Sequence, residues 1–200
     1  MGVQEFGSKI RDGNFFHIAI NTDENYFRHA FSKMEYIMAY EYLEELMDRL
    51  SVNSYRLKVP KYIYRGENKD FEHYINERRS IFKDHPLNKM EEGFMDRFRQ
   101  FKIQKYKEIE SDKMSIWNQK SVMEIIDKEK KNHILITGFD TDNEIFINAL
   151  NASDMGIVPV ILSDGVSAPS ERNHFNTLEL MSRFTYMVDS RDIMLMAGDL

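Results

Sequence analysis

Cysteine is absent from all 200 residues. Disulfides, thiolate metal sites and a cysteine nucleophile are thereby excluded together. Long apolar runs are missing as well, and none approaches the ~18 residues needed to cross a bilayer. The opening stretch (MGVQEFGSKIRDG) has neither the basic flank nor the apolar centre of a secretory signal, so the expectation is a soluble cytoplasmic protein without a membrane partner. Basic residues are in deficit, 27 Lys and Arg against 33 Asp and Glu, for a net charge of -6. That balance argues against a general affinity for nucleic acid or anionic lipid. No internal repeat or low-complexity tract interrupts the chain.

What is present is ordinary for a globular fold: 42% hydrophobic and 30% charged residues. The length suits one domain, taken as residues 1–200, with a sizeable core. Residues 1–13 read as a polar leader packed loosely on the body. Residues 15–21 (FFHIAIN) have the profile of a buried parallel strand. A long helix follows, with Phe27, Phe31, Met34, Met38, Leu46, Met47 and Leu50 at three-to-four spacing. Residues 55–64 are strand-like, with Pro60 confining the pairing there. Residues 60–105 form a charged helical insertion, with a break expected at His85-Pro86. Further strands are expected over 106–110, 133–138, 157–163 and 184–188, and helices over 119–129 and 170–182. Strands alternating with helices imply a parallel sheet covered on both faces, a three-layer α/β architecture.

Residues 138–150 (GFDTDNEIFINAL) read as a strand end, a tight elbow and a helix start. Such elbows often hold a nucleophile; this one offers Asp140, Thr141, Asp142 and Glu144. Gly138, Thr141 and Asp142 stand where the isochorismatase-like (cysteine hydrolase) family keeps its Gly, Thr and acid, and Glu144 fills the cysteine slot. The register continues without a gap through Ala149, Ala152, Gly156, Asp164, His174 and Leu178. Upstream, IAINTDENY resembles the family's first-strand motif, with Asn21 at the catalytic Asp position. Ser115, Ile116 and Trp117 lie over its Ser-small-Phe motif, which puts Ser111 at the catalytic Lys position. Residues 60–105 match poorly.

The resemblance implies a six-stranded, mostly parallel sheet with a pocket at the carboxyl ends of strands one, three and four. Its elbow residues would be Gly138, Phe139, Asp140 and Thr141, and the Phe139-Asp140 peptide would be cis. It implies homo-oligomers and a small-molecule ligand, but the Asp-Lys-Cys triad is replaced by Asn21, Ser111 and Glu144. No cofactor is implied. Metal-binding relatives use an Asp with two His near strand two, and this chain lacks that His pair. Asp140 and Asp142, with Asp23 and Glu144, are the weak remaining candidates for an oxygen-rich cation site.

For Glu144 two readings stand side by side. Thr141-Asp142-Asn143-Glu144 is a T-x-x-E capping box, in which Glu144 reaches back to the Thr141 amide. Alternatively, Glu144 serves as base or nucleophile, with Asp23 and Lys113 as substitutes for the lost groups. Lys113 would share a face with Ser111 if the segment were extended. His174 is expected to cap or pack its helix. The basic and aromatic stretch DRFRQFKIQKYK is expected to be an amphipathic helix rather than a nucleic-acid platform.

Overall fold

The computed structural model describes residues 2–60, 67–73 and 86–199. Six strands, β1 (Phe16–Ile20), β2 (Ser54–Lys58), β3 (Glu108–Glu110), β4 (His133–Phe139), β5 (Val158–Ser167) and β6 (Tyr186–Val188), form one sheet in the order β3-β2-β1-β4-β5-β6. Every adjacent pair is parallel. The helices are α1 (Gly2–Arg11), α2 (Glu24–His29), α3 (Lys33–Arg49), α4 (Lys89–Gln100), α5 (Lys120–Glu129), α6 (Phe146–Asp154), α7 (Glu171–Met181) and α8 (Ser190–Ala197).

Side chains alternate across β1 and feed two cores. Phe15 and Ala19 join Phe6, Ile10, Tyr36, Tyr40, Phe98 and Ile193 on the face covered by α1, α3, α4 and α8. Phe16, Ile18 and Ile20 join Trp117, Val122, Ile125, Ala149, Ala152 and Met181 beneath α5, α6 and α7. This is the expected three-layer arrangement: parallel strands that bury both faces need helices above and below.

Four local expectations are corrected. Residues 1–13 are no loose leader, because α1 buries Phe6 and Ile10 completely, one turn apart. The single long helix is two, broken at residues 30–32, where the Phe31 amide donates to the Ala168 carbonyl and Ser32 Oγ meets Ser167 Oγ at 2.8 Å. Its buried stripe runs through Tyr36, Ile37, Tyr40, Leu43 and Leu46, leaving Met34 and Met38 exposed. Helix α8 is an addition, closed by a capping box from Asp189 and Asp192. Within the stretch taken as an insertion, α4 sends Met95 and Phe98 into the core, Phe98 stacking on Phe27 at 4.3 Å. The expected break at His85-Pro86 and the strand beyond Pro60 involve residues outside those described.

Gly138 fixes the geometry of the elbow. Its φ is +112°, and a Cβ there would lie 1.9 Å from the Ile20 carbonyl oxygen. Only glycine lets β4 pass this close to the end of β1, so the elbow and the Asn21 turn are held side by side.

Candidate functional site

β1 is followed by Asn21, which adopts a left-handed φ of +53°, a conformation that asparagine tolerates better than most residues. Its side chain is buried and engaged at both ends. Oδ1 accepts from the Val59 amide at 2.7 Å, and Nδ2 donates to the Tyr26 hydroxyl at 3.1 Å. The carboxamide therefore ties the exit of β2 to α2. Asp23 is the N-cap of α2, accepting from the amides of Asn25 at 2.9 Å and Tyr26 at 3.1 Å.

β4 delivers the elbow, and its Phe139-Asp140 peptide is cis, as expected. The capping box expected over residues 141–144 does not form. The first turn is a π-turn, Thr141–Ile145, without a side-chain cap. Thr141 Oγ1 instead hydrogen-bonds with His174 Nδ1 at 2.9 Å, drawn across by a residue of α7. Glu144 is fully buried; its Oε2 accepts from the Asp140 amide at 3.2 Å and its Oε1 from Asn143 Nδ2 at 3.2 Å. The carboxylate thus reaches back one residue further than expected. Asp142 turns outward to accept from Asn173 Nδ2 at 3.0 Å. Asp23, Asp140, Asp142 and Glu144 do not gather into a cation cage: among the described residues no three histidines or carboxylates group closely enough to hold a metal ion.

Ser111, the third position the resemblance singles out, lies after β3. Ser111 Oγ donates to the Lys113 carbonyl at 2.6 Å and accepts from the Lys113 amide at 3.2 Å. The chain bends here instead of extending, so Lys113 does not share a face with Ser111, and its side chain is exposed. That corrects the idea of a lysine re-entering the pocket.

Asn148 escaped the sequence reading, and it organises the site. It is completely buried on α6, one turn beyond Glu144. Its Oδ1 accepts from the Ile116 amide at 2.9 Å, while Nδ2 donates to the carbonyls of Met114 at 2.9 Å and Glu144 at 2.8 Å. Its own carbonyl accepts from Trp117 Nε1 at 2.7 Å. The loop carrying Ser115, Ile116 and Trp117 is thereby sewn to the elbow helix. The available signal was an amide one and four residues before two alanines, Ala149 and Ala152, on the apolar side of a helix.

Two buried imidazoles flank these elements. His174 meets the Phe31 ring edge-on at 5.0 Å, and burial lowers its pKa from 6.5 to about 4. It packs its helix as expected, with Thr141 as its polar partner. His17 lies lower in the sheet, bonded through Nε2 to Thr137 Oγ1 at 2.8 Å and through Nδ1 to Ser54 Oγ at 3.1 Å. Burial lowers its pKa to about 3. Both arginines of α4 are also engaged: Arg97 pairs with Glu41 and Arg99 with Glu24. A cleft of about 730 Å³ opens between α2 and α4, lined by Glu24, Arg28, Glu92 and Arg99. Another, of about 530 Å³, lies at the opposite end of the sheet around Gly156 and Phe184. Neither is lined by Asn21, Ser111 or Glu144.

Among the described residues no helix is long and apolar enough to cross a membrane. No curated protein sequence matches the chain. Solved structures do resemble it in fold. YcaC from Pseudomonas aeruginosa is 12% identical with a TM-score of 0.65, the match covering 94% of this chain and 82% of that one. The YcaC gene product from Escherichia coli, described as an octameric hydrolase of unknown specificity, is 10% identical with a TM-score of 0.58, over 94% and 81%. A cysteine hydrolase from Pseudomonas syringae pv. phaseolicola is 9% identical with a TM-score of 0.60, over 93% of each chain. The Isochorismatase domain model matches residues 17–192. With that span, this sheet order and this elbow, the chain belongs to the isochorismatase family.

Proposed function

We propose that this chain is a catalytically degenerate member of its family, acting as a binding or assembly protein. The observation that carries the reading is the state of Glu144: at the position of the family nucleophile stands a buried carboxylate that accepts from the Asp140 amide of its own elbow. Both oxygens of that group are turned to its own elbow, one to Asp140 and one to Asn143, and it occupies an amide that could otherwise polarise a reacting carbonyl. Asn21 supports the same reading. Its carboxamide cannot exchange a proton, and both its ends serve protein partners.

The competing reading is an active hydrolase of a small amide, ester or vinyl ether, with Glu144 and Asp23 as relocated acids. It keeps one favourable feature, the burial of Glu144, since a desolvated carboxylate can be tuned as a base. Against it, Asp23 is bound to two amides of α2 and Lys113 points to solvent. The decisive experiment is a hydrolase screen of the purified protein on amides, esters and vinyl ethers, repeated with Glu144→Gln. No turnover by either protein is expected. Turnover that disappears in the Gln variant would overturn the proposal.

A further inference from the structure

Helix α7 turns His174, Thr177 and Met181 inward, yet on its outer side Phe175 is 56% exposed. Phe175 does not stand alone. It meets the Phe31 ring at 5.9 Å, and Met34, three residues on at the start of α3, is 48% exposed. An aromatic and methionine edge thus runs from the exposed side of α7 to the top of α3. On the same outer side, Arg172 and Glu179 are exposed, and neither side chain makes a hydrogen bond or ion pair with any described residue.

The spacing of these two charges is the informative feature. Seven residues apart, they sit on one side of the helix about 10 Å from each other, too far to pair internally. They are also symmetric about the midpoint between Phe175 and Asn176. A two-fold axis through that midpoint lays α7 antiparallel to its own copy, bringing Arg172 opposite Glu179 of the second chain and Glu179 opposite its Arg172. In an isologous contact each residue's partner must be returned by symmetry, and this stripe satisfies the condition by itself. The chain carries a net charge of -6, so copies repel unless local charges offset the repulsion; two such pairs flanking an aromatic centre set opposite charges against each other where the copies meet.

We propose that the outer side of α7, centred on Phe175, is the docking surface for a second copy of this chain. The Phe31–Met34 edge completes it, since a pair of 11-residue helices alone falls short of the ~800 Å² per partner of a stable interface. The surface is continuous with the elbow. His174 holds Thr141, and Asn173 holds Asp142, so a partner pressed on α7 fixes the helix against which the elbow rests. The inference rests on the assembly half of the proposed function.

Sedimentation velocity and light scattering on the full chain test it, with circular dichroism to confirm that each variant is folded. The wild type is expected to be a dimer or larger. Phe175→Asp, Arg172→Glu and Glu179→Arg, all at exposed positions, should each lower the mass by half or more at the same concentration. The double swap Arg172→Glu with Glu179→Arg should restore it, because the pairs re-form with reversed sign. Single variants that keep the wild-type mass overturn this interface while leaving assembly through another face intact. Dissociated singles that the double swap fails to rescue overturn the antiparallel register. A wild type that stays monomeric as its concentration is raised overturns both the interface and the assembly role.

Discussion

Two of the buried imidazoles, those of His17 and His174, make the fold acid-sensitive in a way that can be calculated in advance. His17 is held neutral with its pKa lowered from 6.5 to about 3, and His174 with its pKa lowered to about 4. In both cases the cause is burial among groups that supply hydrogen bonds but no compensating negative charge: Thr137, Ser54 and the Tyr40 ring around His17, and Thr141, Phe31 and Phe175 around His174. A depressed histidine pKa means that the unfolded chain binds the proton first. Stability from these residues is therefore complete above pH 6.5 and is lost as pH falls toward the folded values. At pH 5 each site costs about 2 kcal/mol relative to neutral pH, so the pair removes about 4 kcal/mol. That is a large part of the ~5–15 kcal/mol expected for a domain.

Urea unfolding at pH 7.5 and pH 5.0 measures the loss, but carboxylates contribute to it as well. The clean quantity is a double difference against His17→Gln/His174→Gln, whose amides can still engage Thr137 and Thr141 but do not titrate. The fall in stability between the two pH values should be smaller in that variant by about 4 kcal/mol. Histidine proton shifts provide a second readout, with the His17 ring expected not to titrate between pH 7 and 4.5. If the wild type and the double variant lose stability equally, or if His17 titrates near 6, the account of its burial is wrong.

Three further outcomes follow from single contacts. Asn148→Ala removes three buried side-chain bonds to Ile116, Met114 and Glu144, and should cost about 2–4 kcal/mol in denaturant titration, with a changed emission from Trp117, the single tryptophan of the chain. Gly138→Ala would place a methyl 1.9 Å from the Ile20 carbonyl, and folded protein should not be recovered; a cooperative melt near the wild-type temperature would contradict the close approach of β1 and β4. Phe6→Ala should destabilise by about 3–5 kcal/mol, a value no loosely attached leader could produce.

How much was readable beforehand depended on whether the cause was local. β4 and its elbow were legible because a short β-branched run, a glycine and an acid-rich turn each state their geometry in adjacent residues. The split between α2 and α3 was not, because its causes, the Ala168 carbonyl and Ser167 Oγ, lie well over a hundred residues further along. Helix α1 was misread because its described buried anchors, Phe6 and Ile10, are two residues, too few for a periodic signal. The misplaced capping box has the same origin. T-x-x-E predicts a local reciprocal bond, but His174, 33 residues on, offers Thr141 a buried partner, and the turn widens so that Glu144 reaches Asp140. Local motifs lose wherever a tertiary partner satisfies the same atom in a drier place.

This competition also explains how the elbow keeps its shape without the family's reactive groups. In a catalytic site the nucleophile, the acid and the cation must point at a substrate, and their mutual repulsion and desolvation weigh against the fold. Here Asn21 joins β1 to the exit of β2, Ser111 closes the turn after β3, and Glu144 closes the elbow after β4. Asn148 then binds two of those three regions to each other. Asn21, Ser111 and Glu144 each satisfy a backbone group within hydrogen-bond reach, so the architecture around the strand ends is held from within. Glu144→Cys would therefore remove the bonds to the Asp140 amide and to Asn143, and a loss of stability in denaturant titration is the first effect to expect from it.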